Sequence, residues 1–227
     1  MTHSLVEPAE TTPPARELTL KVLVVCTGNI CRSPLAEQLL RAKAEALGIP
    51  LTVTSAGTRA MVGRHMTSEA AALSLHYGAL NTEHSPSQLT EALVAQADLI
   101  LTATREHRSE VVSLLPKSVR KTFTLNQFAR MVPTLANLVE PPISLVEPVE
   151  TTPAQIPLVE PVETLKTLLS KTAEARSLVQ PPAALTDDDI TDPYKQPQSV
   201  YDAVAAEINQ AATAIVESFA AALNRSK

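Results

Sequence analysis

Cysteine is scarce in this 227-residue sequence, which contains only Cys26 and Cys31. Two cysteines exclude a disulfide-rich scaffold, and two thiols alone cannot complete a usual four-ligand zinc site. Tryptophan is absent and aromatic residues make up only 3% of the chain, although 44% of it is hydrophobic. The sequence therefore predicts a folded domain with a mainly aliphatic core.

The sequence has fewer basic than acidic residues, with 19 Lys and Arg against 24 Asp and Glu, so its formal net charge is −5. A nucleic-acid-binding surface needs a basic stripe, so we expect no nucleic-acid partner. No apolar run approaches the roughly 20 residues that cross a bilayer. The first 17 residues lack the basic start and apolar stretch of a secretory signal. We therefore expect a cytoplasmic protein without membrane insertion.

Proline-rich repeats interrupt the sequence at two places. SLVEPAETTP at 4–13 returns as SLVEPVETTP at 144–153 and in part as PLVEPVET at 157–164. Of 18 prolines, three lie in 1–17 and eight in 134–186, and neither segment contains glycine or an aromatic residue. Such composition disfavours helix and a packed core. We expect 1–17 to be a disordered tail and 134–186 an extended or poorly ordered insert.

One stretch of this insert, 164–179, has the pattern of a short helix. The insert is either a segment that docks onto a partner or a tolerated surface insertion, and the second interpretation is favoured. The rest of the chain, 18–133 and 187–227, then forms one domain.

Strand and helix patterns alternate along that domain. The run LKVLVVC at 20–26, apolar except for Lys21 and rich in β-branched residues, is typical of a strand buried on both faces. Further strands are predicted at 51–57, 98–104 and 120–125, and helices at 33–48, 67–78, 87–97, 105–116, 126–132 and 199–226. In the first helix, Ser33 suits the N-cap and Pro34 the first helical position. The alternation predicts an α/β fold with a parallel sheet, whose functional site lies at the carboxyl ends of the strands.

The turn after the first predicted strand has the features of an anion site. Backbone N–H groups between Cys26 and Ser33 lack strand partners and converge on a helix N-terminus. Gly28 and Asn29 tolerate unusual backbone conformations, and Arg32 can grip two phosphate oxygens. The helix N-terminus and Arg32 should stabilise the thiolate of Cys26, to which Ser33 can donate a hydrogen bond. The turn therefore predicts a nucleophilic thiol aimed at a bound phosphate.

Cysteine, five residues and arginine form the signature spacing of cysteine-dependent phosphatases, and neighbouring residues narrow the family. VCTGNICRSPLAE at 25–37, TSAGT at 54–58 and DPY at 192–194 occur in the order seen in the low-molecular-weight protein tyrosine phosphatases, which this sequence closely resembles. The resemblance covers about 18–133 and 187–227. It implies a four-stranded parallel sheet with helices on both faces, in agreement with the alternation of elements. The phosphatase activity that the resemblance implies would need no metal or other cofactor.

The resemblance also implies roles for individual residues. Cys26 is the expected nucleophile that forms a cysteinyl-phosphate intermediate, and Asp192 the general acid and then the base. Pro193 fixes the loop of Asp192, and Tyr194 forms an aromatic wall for the phosphotyrosine ring. The phosphate is expected to bind to Arg32 and to the loop residues Thr27, Gly28, Asn29, Ile30, Cys31 and Ser33. The substrate implied is a phosphotyrosine protein, for which a tyrosine kinase of polysaccharide synthesis is a plausible example.

Two regions depart from the family pattern. Asp187, Asp188 and Asp189 stand between the insert and Asp192, and we interpret them as a solvated acidic stretch, with an N-cap as an alternative. The loop 59–66, RAMVGRHM, lacks a large aromatic residue, which suggests a shallow and less selective pocket.

Alternatives within the same fold remain. Cys31 is either a small, partly buried loop residue or, as the resemblance implies, the partner of Cys26 in a reversible protective disulfide. Arsenate reductases of this fold relay a disulfide through cysteines later in the chain. Because no cysteine follows position 31, the sequence argues against arsenate reduction. In a related branch that removes phosphate from arginine, the position of Ile30 tends to carry threonine, so Ile30 favours phosphotyrosine. A phosphate-binding module without catalysis would be expected to lack Cys26, Arg32 or Asp192.

The histidines show no metal-ligand spacing, and we expect all of them at the surface. They are His3, His65, His76, His84 and His107.

Overall fold

A parallel sheet forms the centre of the fold. A computed structural model describes residues 19–79, 83–136, 161–179 and 182–225. Within these ranges four strands pair in the order β2-β1-β3-β4, all parallel. They are β1 (Leu20–Cys26), β2 (Leu51–Gly57), β3 (Leu99–Thr102) and β4 (Thr122–Thr124). The predicted four-stranded parallel sheet is confirmed.

Helices connect and cover the strands. They are α1 (Arg32–Ala46), α2 (Ser68–His76), α3 (Glu91–Gln96), α4 (Arg105–Leu114), α5 (Leu125–Ala136), α6 (Pro161–Glu174) and α7 (Gln198–Arg225). Short 3₁₀ turns lie at Pro116–Lys121, Ala175–Ser177 and Leu185–Asp188. Across the described ranges, no helix is both long and apolar enough to span a bilayer.

Both faces of the sheet are covered, because the side chains of β1 alternate between two hydrophobic clusters. Val22 and Val24 join residues of α1, α5, α6 and α7, whereas Leu23 and Val25 join residues of α3 and α4. Burial of one such side chain contributes roughly 1.5–3 kcal/mol. The apolar run therefore forms the buried strand that it predicts, and this strand ends at Cys26 on the carboxyl edge of the sheet.

The start of α1 differs from its prediction. Ser33 is not the N-cap, because α1 begins at Arg32 after Cys31 and has no side-chain cap. The hydroxyl of Ser33 instead lies 2.9 Å from the sulfur of Cys26.

The start of α3 also differs, because Ser87 and Gln88 run alongside β2. The N–H of Gly57 donates to Ser87 O and that of Leu89 to Gly57 O. The helix therefore starts later, with Thr90 as its N-cap.

The predicted insert contributes to the core where it is described. Helix α5 continues through Pro133 to Ala136, and α6 forms close to its predicted position. Leu165 and Leu168 of α6 are completely buried in the cluster that contains β1. The expectation of a surface insertion is therefore wrong for α6, whose apolar face packs like that of an ordinary core helix.

Arg176 fastens the end of this segment to the edge strand β4. Its guanidinium donates to Val119 O and Thr122 O and lies 3.8 Å from the centre of the Phe123 ring. Burial, with the positive charge of Arg108 as a smaller cause, lowers the pKa of Arg176 to about 10. The predicted tail 1–17 and residues 137–160 of the insert lie outside the described residues, so the domain boundaries stay predictions.

Candidate active site

The candidate site lies at the carboxyl end of β1, in residues 26–33, here called the cysteine loop. Every carbonyl of residues 26–31 accepts a hydrogen bond from a residue outside the cysteine loop. The donors, in chain order of the acceptors, are Thr58 N (2.9 Å), Arg59 N (3.0 Å), Met61 N (2.9 Å), His84 Nε2 (2.8 Å), Thr67 N (2.9 Å) and Leu35 N (3.2 Å).

This outward anchoring orients the N–H groups. No cis peptide occurs among the described residues, and a trans peptide directs its N–H opposite to its carbonyl. The N–H groups of residues 27–32 therefore point toward the inside of the loop. A ring of inward N–H groups beside a helix N-terminus is an anion-binding concavity.

Asn29 holds the loop in shape. It has a φ of 55°, in the left-handed region that asparagine tolerates better than most residues. Its amide nitrogen donates to Ser33 Oγ and to Ser55 Oγ, both at 2.8 Å, and its side-chain oxygen accepts from Ser87 N at 2.8 Å. The side chain thus ties the loop to β2 and to the segment before α3.

Gly28 lacks the unusual backbone conformation that we predicted for it, and Gly57 has a role that we did not predict. Gly28 is not among the residues with positive φ, and Met61 packs 3.5 Å from where its Cβ would stand. Gly57, which we did not single out, is required by space, because a Cβ there would lie 2.4 Å from Thr27 O. The sequence feature that could have identified Gly57 is its place in the TSAGT motif at 54–58.

The sulfur of Cys26 is surrounded by donors. Ser33 Oγ lies 2.9 Å from Sγ, and the N–H of Asn29 donates to Sγ at 3.3 Å. Since Ser33 Oγ already accepts from Asn29, its own hydrogen is available for the sulfur. Both groups are therefore placed to donate hydrogen bonds to the sulfur.

Arg32 joins the cysteine loop to the segment that carries Asp192. Its Nη1 donates to Ile190 O at 3.1 Å, and its Nη2 to Asp192 Oδ2 at 2.6 Å. Its Nε is buried and has no acceptor among the described residues. An unpaired buried donor costs about 1–3 kcal/mol, so an anion in the loop would recover that cost.

Two of the three acidic residues before Asp192 are ion-paired. Asp188 binds Arg130 at 2.9 Å, and Asp189 binds Arg105 at 3.1 Å. The expectation of a solvated acidic stretch is therefore wrong for these two, because each meets a cation from a helix at the sheet. Asp187 is exposed, and its carboxylate accepts from the N–H of Ala184.

A cavity of about 230 Å³ opens above the sulfur. Its lining contains Cys26, Thr27, Gly28, Ile30, Cys31, Arg32, Asp192 and Tyr194, together with Arg59 and Met61, which we did not predict. Asn29 and Ser33 are completely buried behind this lining. The predicted site residues therefore lie together, and two residues from loop 59–66 complete the wall.

Cys31 lies in the cavity lining next to Thr67 and Tyr201. Both cysteines are free thiols. Burial raises the pKa of the Cys31 thiol, and the hydroxyl groups of Thr67 and Tyr201 partly oppose that shift. The disulfide with Cys26 stays a prediction.

Two histidines lie at the site, and His107 is buried while His84 is half-buried, contrary to the expectation of surface positions. His84 Nε2 donates to Asn29 O and helps to anchor the loop. His107 bonds Thr27 Oγ1 through Nε2 at 2.8 Å and Thr104 Oγ1 through Nδ1 at 2.7 Å. Burial, and then the charge of Arg32, lower the pKa of His107. Since lone histidines without ligand spacing carry no positional signal, only the tertiary contacts identify them.

His107 makes stability depend on pH. The folded protein disfavours the proton, whereas the unfolded chain binds it below the ordinary pKa of about 6.5. The contribution of the neutral ring is therefore complete above about pH 6.5 and is lost as the pH falls toward the lowered pKa of the folded state. We expect Tm to fall by at least about 2 °C more in the wild type than in His107→Gln between pH 7.5 and 5.5.

The measurement is thermal unfolding of both proteins at the two pH values. His65→Gln, which changes an exposed histidine, is the matched control and should behave as the wild type. Equal pH dependence in the wild type and His107→Gln would contradict this assignment.

In the portion of the chain that the structure describes, no three His, Cys, Asp or Glu side chains cluster in a way that could hold a metal ion.

The model of the family described as low molecular weight phosphotyrosine protein phosphatase matches residues 21–150. The protein-arginine-phosphatase of Bacillus subtilis (strain 168) is 40% identical over 110 residues, 48% of this chain and 72% of the relative. A probable low molecular weight protein-tyrosine-phosphatase EpsP of Ralstonia nicotianae is 39% identical over 106 residues, 47% of this chain and 70% of the relative.

The fold has similar solved structures as well. The low molecular weight protein tyrosine phosphatase from T. tengcongensis is 27% identical, with a TM-score of 0.59 over 88% of this chain and 99% of that one. The family match covers more than half of the chain and includes the whole cysteine loop. The chain belongs to the low molecular weight phosphotyrosine protein phosphatase family, a family of hydrolases.

Proposed function

We propose that the protein hydrolyses phosphotyrosine in proteins through a cysteinyl-phosphate on Cys26. One observation carries the proposal: a thiol lies within a loop whose carbonyls are all anchored outward, so that six N–H groups face the same space. Arg32 and Asp192 are paired at the edge of this space. The arrangement supplies a nucleophile, a cradle for an anion and a carboxyl group for proton transfer.

In the first step the Cys26 thiolate attacks phosphorus while the N–H groups of residues 27–32 and Arg32 hold the three equatorial oxygens. The bond between phosphorus and the tyrosine oxygen breaks, and the protonated carboxyl of Asp192 gives its proton to that oxygen. Donors placed where negative charge collects lower the barrier without reorganisation. The products of this step are tyrosine and a cysteinyl-phosphate.

In the second step the Asp192 carboxylate takes a proton from water, whose oxygen attacks phosphorus. The bond between sulfur and phosphorus breaks, and its electron pair returns to Cys26 as the thiolate. Ser33 Oγ and Asn29 N, which contact Sγ, favour this leaving group. One difficult transfer is thereby divided into two easier ones.

The cavity favours an aromatic ring over a guanidinium. Ile30, Met61 and Tyr194 supply apolar and aromatic surface. Arg32 and Arg59 line the same cavity, and Asp192 is the one carboxylate among the described residues of its lining, so a substrate guanidinium would meet like charges. A phosphotyrosine ring instead gains apolar contact and stacking.

The proposed substrate is a phosphotyrosine protein, of which a tyrosine kinase of polysaccharide synthesis is one example. The proposed compartment is the cytoplasm, because a free thiol nucleophile needs a reducing environment.

We expect kcat/KM for a phosphotyrosine peptide to exceed that for phosphoserine and phosphoarginine peptides by at least about tenfold. Asp192→Ala should lower kcat/KM for phosphotyrosine by about 100- to 10,000-fold, because the leaving phenolate loses its proton donor. The measurement is steady-state phosphate release without added metal. Glu174→Gln, which changes an exposed carboxylate remote from the cavity, is the matched control.

Arginine dephosphorylation is the second candidate, and the 40% identity to a protein-arginine-phosphatase supports it. A higher kcat/KM for phosphoarginine would replace the first proposal by this one. Binding of phosphate without turnover of any substrate would instead indicate a phosphate-binding module.

A further inference from the structure

Asp192 is held in place by the segment before it more than by its own surroundings. Its carboxylate is about half exposed, and its contacts are Arg32 Nη2 and the N–H of Tyr194. A general acid must nevertheless reach the leaving oxygen within hydrogen-bond distance. The residues that fix the approach of the chain to Asp192 therefore decide how well it can act.

Residues 189 and 190 are anchored from two sides. The N–H of Ile190 donates to Ala103 O at 2.8 Å, at the carboxyl end of β3. The carbonyl of Ile190 accepts from Arg32 Nη1 at 3.1 Å. The segment thus crosses from the sheet to the arginine of the cysteine loop just before it delivers Asp192.

Asp189 forms an ion pair with Arg105, the first residue of α4. Its Oδ1 accepts from the backbone N–H of Arg105 at 2.7 Å, and its Oδ2 accepts from Arg105 Nη2 at 3.1 Å and Nε at 3.3 Å. Oδ1 is also 3.4 Å from Nε. Such a forked contact between carboxylate and guanidinium restricts direction as well as distance.

The first turn of α4, which begins at Arg105, also contacts the cysteine loop. His107 lies two residues after Arg105 and bonds Thr27. The first turn of α4 is therefore a common support for the nucleophile's loop and for the acid's segment, which are 166 positions apart in the sequence (Cys26 to Asp192).

We propose that Arg105 and Asp189 are positioning residues that set the general acid Asp192 against the leaving group. The proposal rests on the proposed function, because it assigns these residues a task in that reaction. It does not make either residue catalytic, since both act through Asp192.

The test uses leaving groups of different basicity. A phenolate needs a proton as it leaves, whereas 4-nitrophenolate leaves well without one. We expect Asp189→Ala and Arg105→Gln to lower kcat/KM for phenyl phosphate by about 10- to 100-fold and that for 4-nitrophenyl phosphate by less than about threefold. Asp189→Asn, which keeps an acceptor for the Arg105 N–H, should lie between the wild type and Asp189→Ala.

Combination with Asp192→Asn separates positioning from general damage. If Asp189 acts through Asp192, adding Asp189→Ala to Asp192→Asn should change kcat/KM for phenyl phosphate by less than about twofold. Arg120→Gln, which breaks an exposed ion pair with Glu174 remote from the cavity, is the matched control and should leave both substrates unaffected.

The outcomes distinguish the two proposals. Equal losses on both substrates, or additive losses in the double variant, overturn the positioning role while leaving the proposed function intact. A wild-type protein that turns over neither aryl phosphate overturns the proposed function itself.

Discussion

Replacing Cys26 by serine is expected to lower kcat for phosphotyrosine by about 1,000-fold or more. A serine hydroxyl needs a general base to become a nucleophile, and the cysteine loop supplies hydrogen-bond donors to this atom. Hydrogen-bond donors at this position do not deprotonate serine. Loss of a nucleophile typically removes nearly all covalent catalysis. The measurement is single-turnover and steady-state hydrolysis of a phosphotyrosine peptide.

Phosphate binding provides the control for this substitution. The outward anchoring of residues 26–31 involves backbone carbonyls, and Arg32 does not contact the sulfur, so the cradle should survive in Cys26→Ser. Inorganic phosphate should therefore raise Tm of the variant as it does for the wild type, because a ligand stabilises the state that binds it. Turnover within tenfold of the wild type would contradict the role of Cys26 as nucleophile.

The cysteine loop was predictable from sequence because its chemistry is contiguous. A thiol, an anion cradle and an arginine lie within seven residues, directly after a run that predicts a buried strand. β1 and β2 have the predicted bounds, since strand 20–26 is apolar except for Lys21 and 51–57 ends at a glycine that the loop requires. Local pattern and tertiary environment agree here, which is the condition under which sequence reasoning works.

The support around the loop was not predictable, because it comes from distant parts of the chain. His107 meets Thr27 across 80 positions, and Asp189 meets Arg105 across 84. Single histidines and clustered aspartates usually lie in solvent, and only the topology of the sheet places these beside cations and hydroxyl groups. Propensity and periodicity carry no information about such pairings.

The helix within the insert was predicted from 164–179, but composition misled the expectation of how the insert packs, for a related physical reason. Proline and the lack of aromatics describe the segment as a whole, whereas helix formation depends on the spacing of a few apolar residues. Leu165, Leu168 and Leu169 recur at three and four residues, and all three are buried. A short amphipathic stretch inside a proline-rich segment is enough to join the core.

The substitutions Leu165→Ala and Leu168→Ala are each expected to lower the free energy of unfolding by about 2–5 kcal/mol. Each removes a completely buried side chain from the cluster that also holds β1 and α7, and the cavity left behind adds to the lost transfer energy. Since a domain of this size is stable by about 5–15 kcal/mol, the double variant should be close to unfolding. The measurement is urea unfolding of both single variants and the double variant.

Ser170→Ala is the matched control, because Ser170 is an exposed position of the same helix. It should change the free energy of unfolding by less than about 0.5 kcal/mol. If α6 were a tolerated surface insertion, the leucine variants would resemble this control. Helix α6 packs near Leu99 and Lys121, at the amino ends of β3 and β4, whereas Cys26 lies at the carboxyl end of β1. The leucine variants should therefore keep kcat/KM within about threefold at temperatures where they are folded, which would separate a core role for the insert from a role in catalysis.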